Sequence, residues 1–141
     1  MTEFLYDVTG VGNAIVDVIA PCDDDFLNAN SVEKGAMTLI DEARATELYS
    51  RMAAGREVSG GSAANTLAGV ASLGGRGAYI GKVADDQLGQ IFTHDLNAAG
   101  VRYDTSPLVG GPATARCLIN VTPDAQRSMS RQHYLHGRVS V

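Results

Sequence analysis

A glycine-rich turn that leads directly into a helix of small residues, at positions 57–75, constrains the fold of this chain more than any other stretch. Gly60 and Gly61 open the turn, and Ser62 is predicted to cap the helix. The residues predicted to form one buried helical face follow at three-and-four spacing: Ala63, Leu67, Val70 and Leu73 or Gly74. We therefore expect a tight turn that delivers a closely packed helix.

The same turn has a functional and a purely structural interpretation. Because Gly60 and Gly61 have no side chains and a helix start has unsatisfied N–H groups, a polar ligand can lie against the backbone here. Asn65 on the first turn adds an amide donor and acceptor. The alternative is a packing helix without a ligand, which composition alone favours.

The composition is typical of one soluble globular domain. Of its 141 residues, 45% are apolar and 19% are charged, which is enough for a sizeable core. The formal net charge is −5 and the sequence has no lysine- or arginine-rich block, so neither nucleic acid nor an anionic membrane is an expected partner.

Cys22 and Cys117 lack a partner motif, which favours reduced thiols. There is no basic leader and no apolar run of about 18 residues, so we expect a cytoplasmic protein.

An acidic residue stands inside the first apolar segment. Residues 5–20 are predicted to form a strand, a bend at Gly12 and Asn13, and a second strand over 15–19. A carboxylate at Asp17 costs free energy there unless it is paired or hydrogen-bonded. Asp17 is therefore either a structural residue bonded to backbone N–H groups or an acceptor for ligand hydroxyls, and both remain open.

The middle of the chain alternates strands and helices. Asp41 is predicted to cap a helix that Gly55 ends, and residues 76–83 are predicted to form a strand. Asp86 is predicted to cap a further helix that closes at Gly100. This order favours an α/β fold with parallel strands.

The last third of the sequence has a different pattern. Alternation over residues 113–121, followed by a turn at Pro123, predicts an antiparallel hairpin. Gly110 and Gly111 separate this hairpin from the α/β part. Residues 131–141 contain His133 and His136, a weak metal signal, and are predicted to be a poorly ordered tail.

Other acidic and histidine residues have both a structural and a functional interpretation. The aspartates at 23–25 lack the spacing of a metal loop, so a solvated loop or helix start is preferred to a cation site. Asp85 and Asp86 have two interpretations. The preferred one is a surface acid followed by a helix cap, and the alternative is a carboxylate pair for acid–base chemistry. His94 is expected on the polar side of its helix.

Three motifs, in order, resemble the N-terminal part of the ribokinase-like, or PfkB, family of carbohydrate and nucleoside kinases. They are GNAIVD at 12–17, GGSAAN at 60–65 and GKVADDQLG at 81–89. Ala84 stands where the family usually has glycine. Residues 35–40, together with the hairpin at 114–127, look most like adenosine-kinase-type bacterial members.

The resemblance implies an α/β, ribokinase-like fold: an incomplete central parallel-type sheet flanked by helices, plus a small β lid. It also implies transfer of the ATP γ-phosphoryl group, with Mg²⁺, to a hydroxyl of a nucleoside or sugar. Carried over by position, Asp17 would bind sugar hydroxyls, with Asn13, Gly60, Gly61 and Asn65 completing the cradle. No catalytic residue or metal ligand is assigned.

The resemblance implies that the family's Gly-Ala-Gly-Asp motif with its catalytic aspartate, its adenine site and its Asn-x-x-Glu metal motif lie beyond the equivalent of residue 141, and no Gly-Ala-Gly-Asp segment occurs in this sequence. We therefore expect residues 1–130 to be the N-terminal part of a kinase domain including lid strands, and 131–141 an atypical tail. The hypothesis is a truncated chain, with a reading-frame change near Ser130, that is inactive alone and binds neither ATP nor Mg²⁺ strongly. Exposed apolar faces would promote homo-oligomers. The alternatives are a non-catalytic sugar- or nucleoside-binding module and a structural dimerisation piece.

Overall fold

The computed structural model describes residues 4–132, which form four helices and eight strands. The helices are α1 (Asp24–Ala29), α2 (Glu42–Arg51), α3 (Ser62–Ser72) and α4 (Gln87–Ala98). The strands are β1 (Val8–Val11), β2 (Ile15–Pro21), β3 (Met37–Ile40), β4 (Arg56–Gly60), β5 (Gly77–Ile80), β6 (Val101–Arg102), β7 (Ala115–Val121) and β8 (Arg127–Gln132).

One layer of the molecule is a parallel sheet of three strands in the order β1-β5-β6. We call this sheet, with α3 and α4, the α/β layer. Leu67 of α3 packs so closely on it that a Cβ added at Gly10 would lie 2.9 Å from the Leu67 Cδ1. On the same side, the rings of Tyr79, Phe92 and Tyr103 pack at centroid distances of 5.5–5.6 Å. The close approach expected of the small-residue helix is thus confirmed.

The second layer is a five-stranded sheet in the order β3-β8-β7-β2-β4, called the lid sheet below. The strand β2 is an interior strand of this sheet, since it pairs parallel with β7 on one side and antiparallel with β4 on the other. The predicted β7–β8 hairpin is antiparallel, as expected. Leu48 of α2 packs against Val18 and Leu118, so this helix covers one face of the lid sheet.

These two layers confirm the predicted fold class, and most of the predicted caps are present. Carboxylate oxygens of Asp41 and Asp86 accept hydrogen bonds from Arg44 N at 2.7 Å and Gly89 N at 2.8 Å. Asp23 caps α1 through Phe26 N at 2.8 Å, which confirms a helix start at the acidic cluster. Both cysteines are unpaired thiols in the described part of the chain.

Three local predictions were wrong. Ser62 does not cap α3; Gly61 is the N-cap residue, and no side chain bonds there, because the chain turns one residue earlier than expected. Leu73 is 90% exposed, since α3 ends at Ser72 and the apolar stripe does not continue past it. Gly55 does not end α2, which stops at Arg51; instead Gly55 lies against the Ile19 carbonyl, where a Cβ would collide.

The tail predicted over residues 131–141 consists of two parts. Strand β8 continues through Gln132, so Arg131 and Gln132 lie within the lid sheet. His133, His136 and the rest of 133–141 lie outside the described residues. None of the helices within residues 4–132 is long and apolar enough to cross a membrane.

One edge of the α/β layer is open. Within residues 4–132, β1 pairs with β5 on one side and with no strand on the other. Val11 on this strand is 71% exposed, and Phe4, Leu5 and Val8 nearby are exposed as well. An apolar strand edge of this kind is a template for pairing with another chain.

We predict that the chain self-associates through this edge. Val11→Lys should weaken self-association by about tenfold, because a charged side chain at a strand edge opposes further pairing. Sedimentation velocity measures the change. Leu73→Lys is the matched control, since Leu73 is apolar and exposed but lies at the end of α3 and not on a strand edge, and it should leave the association unchanged. A wild-type chain that stays monomeric throughout would contradict the prediction.

Candidate functional site

The candidate site lies where β4 passes from the lid sheet into α3 of the α/β layer. Gly60, the last residue of β4, is buried and pairs with Ile15 of β2. A Cβ added at Gly60 would lie 2.5 Å from the Asp17 Oδ2 and 2.8 Å from its Cγ. The carboxylate of Asp17 therefore occupies the space that any side chain at position 60 would need.

The next residue, Gly61, turns the chain into the helix. Its φ of +95° is a left-handed conformation that residues with a Cβ rarely adopt. A Cβ there would also lie 3.0 Å from the carbonyl oxygen of Asn13. Because no side chain caps α3, its first-turn N–H groups point away from the helix as donors. The positive end of the helix dipole adds to their attraction for a polar ligand.

The structure thus places all five residues predicted to form the cradle at one junction of β2, β4 and α3. They are Asn13, Asp17, Gly60, Gly61 and Asn65. The side chains of Asn13 and Asn65 are exposed, and Asn65 lies on the first turn of α3, where its N–H donates to the Gly61 carbonyl at 2.9 Å. Their binding of a ligand stays a prediction.

Asp17 lies in an unusual electrostatic environment. Burial raises its pKa above the ordinary value, and the positive charge of Arg131 partly opposes that rise. The two residues belong to one row across the lid sheet, because Asp17 pairs with Cys117 and Cys117 pairs with Arg131. Burial, followed by the charge of Asp17, raises the pKa of Cys117 to about 11, which makes its thiol a poor nucleophile.

The remainder of this sheet face is mainly apolar, with an arginine in β4 and another in β8. We call it the Asp17 face, and it consists of the residues in register with Asp17 and with its neighbours at i±2. They are Ile15, Ile19, Met37, Leu39, Arg56, Val58, Gly60, Ala115, Cys117, Ile119, Met129 and Arg131. Met37 and Leu39 are 51% and 53% exposed, and α2 packs on the opposite face of the sheet. A solvent-accessible apolar surface therefore lies on the same sheet face as the Asp17 carboxylate, at the β3 edge, three strands from β2.

Sequence reasoning missed some of the residues that share the Asp17 face. The alternation in β7 correctly put Cys117 on one side with Ala115 and Ile119. It gave no signal that Arg131 or Leu39 would join them, because β3 pairs with β8 through contacts some 90 residues apart in the chain. Asp86, one of the two carboxylates considered as an acid–base pair, instead accepts a hydrogen bond from the backbone N–H of Gly89 in α4.

The described residues 4–132 contain no group of three or more His, Cys, Asp or Glu placed to hold a metal ion. The residues present at the junction, a lone carboxylate, two amides and two glycines, suit hydroxyl groups better than a nucleotide–metal complex. We assign no ATP or Mg²⁺ ligand among them.

Comparison with known families agrees with this geometry. The profile described as pfkB family carbohydrate kinase matches residues 10–135. The match covers all three motifs and both layers, so the chain belongs to the pfkB family of carbohydrate kinases.

Solved structures make the likeness more specific. Adenosine kinase from Sinorhizobium meliloti is 64% identical with a TM-score of 0.78, covering 90% of this chain and 39% of that one. A probable sugar kinase from Rhizobium etli is 58% identical with a TM-score of 0.78, covering 90% and 38%. A probable chloroplastic fructokinase from Arabidopsis thaliana is 34% identical over 51% of this chain and 19% of its own length. The chain therefore spans about two fifths of these solved relatives and about a fifth of that curated one.

Gly60→Ala tests the contact between β4 and Asp17. The added methyl group should push the Asp17 carboxylate toward solvent, lowering its pKa toward the ordinary value and the free energy of unfolding by about 1 kcal/mol. Carboxyl-carbon NMR titration and chemical denaturation measure the two effects. Gly69→Ala is the control: a Cβ there meets nothing within 4 Å, so this helical substitution should stabilise by about 0.5–1 kcal/mol. An unchanged Asp17 pKa in Gly60→Ala would refute the contact.

Asp17→Asn should stabilise the chain at neutral pH. Because the folded-state pKa of Asp17 lies above its model-compound value of 3.8, ionisation favours the unfolded state as pH rises through the folded pKa. Removing the charge should raise Tm at pH 7 by roughly 2–4 °C, and the gain should shrink as pH falls toward 3.8. Thermal melts across this range measure it. Asp85→Asn, at an exposed position, is the control and should leave Tm at pH 7 unchanged. A lower Tm for Asp17→Asn at pH 7 would contradict the prediction.

Proposed function

We propose that this chain is the acceptor-binding portion of an ATP-dependent kinase that phosphorylates a hydroxyl of a nucleoside, with adenosine as the first candidate. The observation that carries the proposal is the Asp17 carboxylate, half-buried against the side-chain-free Gly60 and beside an apolar sheet face. An ionised carboxylate accepts hydrogen bonds from two vicinal hydroxyls at once, which is how a furanose would be held.

The other residues of the junction add to this pocket in complementary ways. The amides of Asn13 and Asn65 each supply a donor and an acceptor, which suits hydroxyls that both donate and accept. Gly60 and Gly61 let a sugar ring approach the main chain, since no Cβ intervenes. The uncapped N-terminus of α3 supplies N–H donors to ring or hydroxyl oxygens.

The Asp17 face supports a nucleoside over a bare sugar. A free sugar presents hydroxyls on most sides and gains little from the exposed Met37 and Leu39. A nucleoside presents hydroxyls on one side and a flat, largely apolar base on the other, which matches a carboxylate next to an apolar sheet. Burial of apolar area there would contribute about 25 cal/mol per Å².

The two relatives with the highest identity reported above are described as an adenosine kinase and a probable sugar kinase, so their descriptions leave the acceptor open. The pfkB family is a family of kinases, and kinases of this kind use ATP, usually with Mg²⁺. In this proposal the groups that hold ATP and activate the hydroxyl are not supplied by residues 4–132. We expect the 141-residue chain by itself to bind the acceptor without turning it over.

Isothermal titration calorimetry with adenosine, ribose and fructose tests the proposal on the intact chain. We expect adenosine to bind more tightly than either sugar, and Asp17→Ala to weaken adenosine binding by at least about tenfold through loss of the bidentate acceptor. Leu39→Ser should weaken adenosine and leave ribose unchanged, because only the base would contact Leu39.

Asp85→Ala serves as the matched control, since it removes an exposed carboxylate outside the junction. The proposal fails if no ligand binds, or if Asp17→Ala binds as the wild type does. Tighter binding of fructose than adenosine would replace the nucleoside by a sugar. A coupled ADP-release assay that detected turnover by this chain would overturn the expectation that it is inactive alone.

A further inference from the structure

Thr114, which immediately precedes β7, is fully buried and contacts the α/β layer through both of its donor groups. Its hydroxyl donates to Asp86 Oδ1 at 2.7 Å, and its backbone N–H donates to Asp86 Oδ2 at 2.8 Å. The same hydroxyl accepts a hydrogen bond from Ala84 N at 2.9 Å. Thr114 is thereby held in three bonds by the segment that links β5 to α4.

Asp86 is at the same time the N-cap of α4, where its Oδ1 accepts the Gly89 N–H at 2.8 Å. One carboxylate thus joins the start of a helix in the α/β layer to the start of a strand in the lid sheet. These hydrogen bonds outweigh the effect of burial and lower the pKa of Asp86, so the carboxylate is ionised at neutral pH. We call this arrangement the Asp86–Thr114 clip.

The clip lies at one of three places where the chain passes between the two layers. The other two, between β1 and β2 and between β4 and α3, contain Gly12 and the pair Gly60 and Gly61. Glycines leave the backbone conformationally permissive at those two crossings. The third crossing also contains Gly110 and Gly111, but Thr114 there adds a side-chain bond to a carboxylate in the other layer, beside the backbone bond from Ser59 to Asp95 near the second crossing.

The clip is connected to the candidate site through the strand pairing of the lid sheet. Thr114 precedes Ala115, which pairs with Ile15 of β2, and Ile15 pairs with Gly60 of β4. A movement of β7 at this end therefore carries β2 and its Asp17 with it. Asn65 and the N-terminus of α3 belong to the other layer and contact β2 by side-chain packing, as between Val16 and Leu67 in one buried cluster, and not by strand pairing. Their position relative to Asp17 therefore depends on the angle between the layers.

We propose that Asp86 and Thr114 are positioning residues that fix the angle between the lid sheet and the α/β layer, and so the position of Asp17 relative to α3. The claim that this position matters for an acceptor rests on the proposed function, whereas the claim about the angle does not. Asp95 also joins α4 to the lid, since its Oδ2 accepts the Ser59 N–H at 2.8 Å. Loss of the clip should accordingly reorient the lid sheet and not detach it.

Two independent variants break the clip in different ways. Thr114→Val removes the hydroxyl and keeps the branched shape and the backbone N–H. Asp86→Asn keeps a cap for α4, because asparagine caps helices as well as aspartate does, but it replaces one acceptor oxygen by a donor. Thr114→Ser retains the hydroxyl and should behave as the wild type.

Asp41→Asn is the matched control for the cap itself. Asp41 caps α2 through a side-chain bond to Arg44 N, and α2 packs mainly on β7 and β8 of the lid sheet, so this variant should change no angle between layers.

Residual dipolar couplings of backbone amides measure the angle directly. In the wild type, Thr114→Ser and Asp41→Asn, couplings from both layers should fit one common orientation. In Thr114→Val and Asp86→Asn, each layer should still fit internally, but the two should require different orientations, and adenosine should bind about tenfold more weakly. If one variant fails to fold, the other decides.

The proposal is overturned if both layers of either folded clip variant fit the wild-type orientation. It is also overturned if Asp41→Asn reorients the layers as much as Asp86→Asn does. If the layers reorient in the clip variants while the wild type binds no adenosine, the clip is supported and the proposed function is the part that fails.

Discussion

The rest of the structure depends on the absence of side chains at Gly60 and Gly61. At Gly60 the missing Cβ leaves the space in which the Asp17 carboxylate lies, only 2.5 Å from where that atom would be. At Gly61 a φ of +95° redirects the chain from a strand of one layer into a helix of the other. Both positions exclude side chains for steric reasons, so a single dipeptide sets the layer crossing, the start of α3 and the environment of Asp17.

Asp17 is a candidate ligand-binding residue whose charged form is unfavourable for folding. Burial makes its charged form unfavourable in the folded chain, and Arg131, one strand beyond Cys117, compensates in part. Among residues 4–132, backbone N–H groups donate to Asp41 and Asp86 in the capping manner, whereas Asp17 lies in a strand and caps no helix. Residues whose charged form is unfavourable in the folded chain are common in binding sites, because such sites are often built at the expense of stability.

The two layers differ in how complete they are. The lid sheet has five strands and a helix packed on one face, whereas the α/β layer has three parallel strands with an open edge at β1. Parallel sheets are normally covered on both faces. The chain covers about two fifths of the solved relatives that it matches, and the open edge and exposed apolar residues such as Val11 are consistent with a partial α/β layer. The candidate site nonetheless lies within one part of the chain, since Asn13, β2, β4 and α3 all fall within residues 13–72.

The sequence by itself determined the features that depend on local chemistry: the turn at Gly60, the caps at Asp41 and Asp86, the β7–β8 hairpin, and the family through three ordered motifs. It placed Ser62 and Gly55 wrongly because capping and helix ends shift by a few residues when packing demands it. Only the tertiary structure decided that Cys117, Arg131 and Leu39 lie in one row with Asp17 across the lid sheet, and that Asp86 bonds to Thr114 across the two layers. Those contacts join segments distant in the chain, and strand pairing at such range depends on the register of a whole sheet, which no local pattern records.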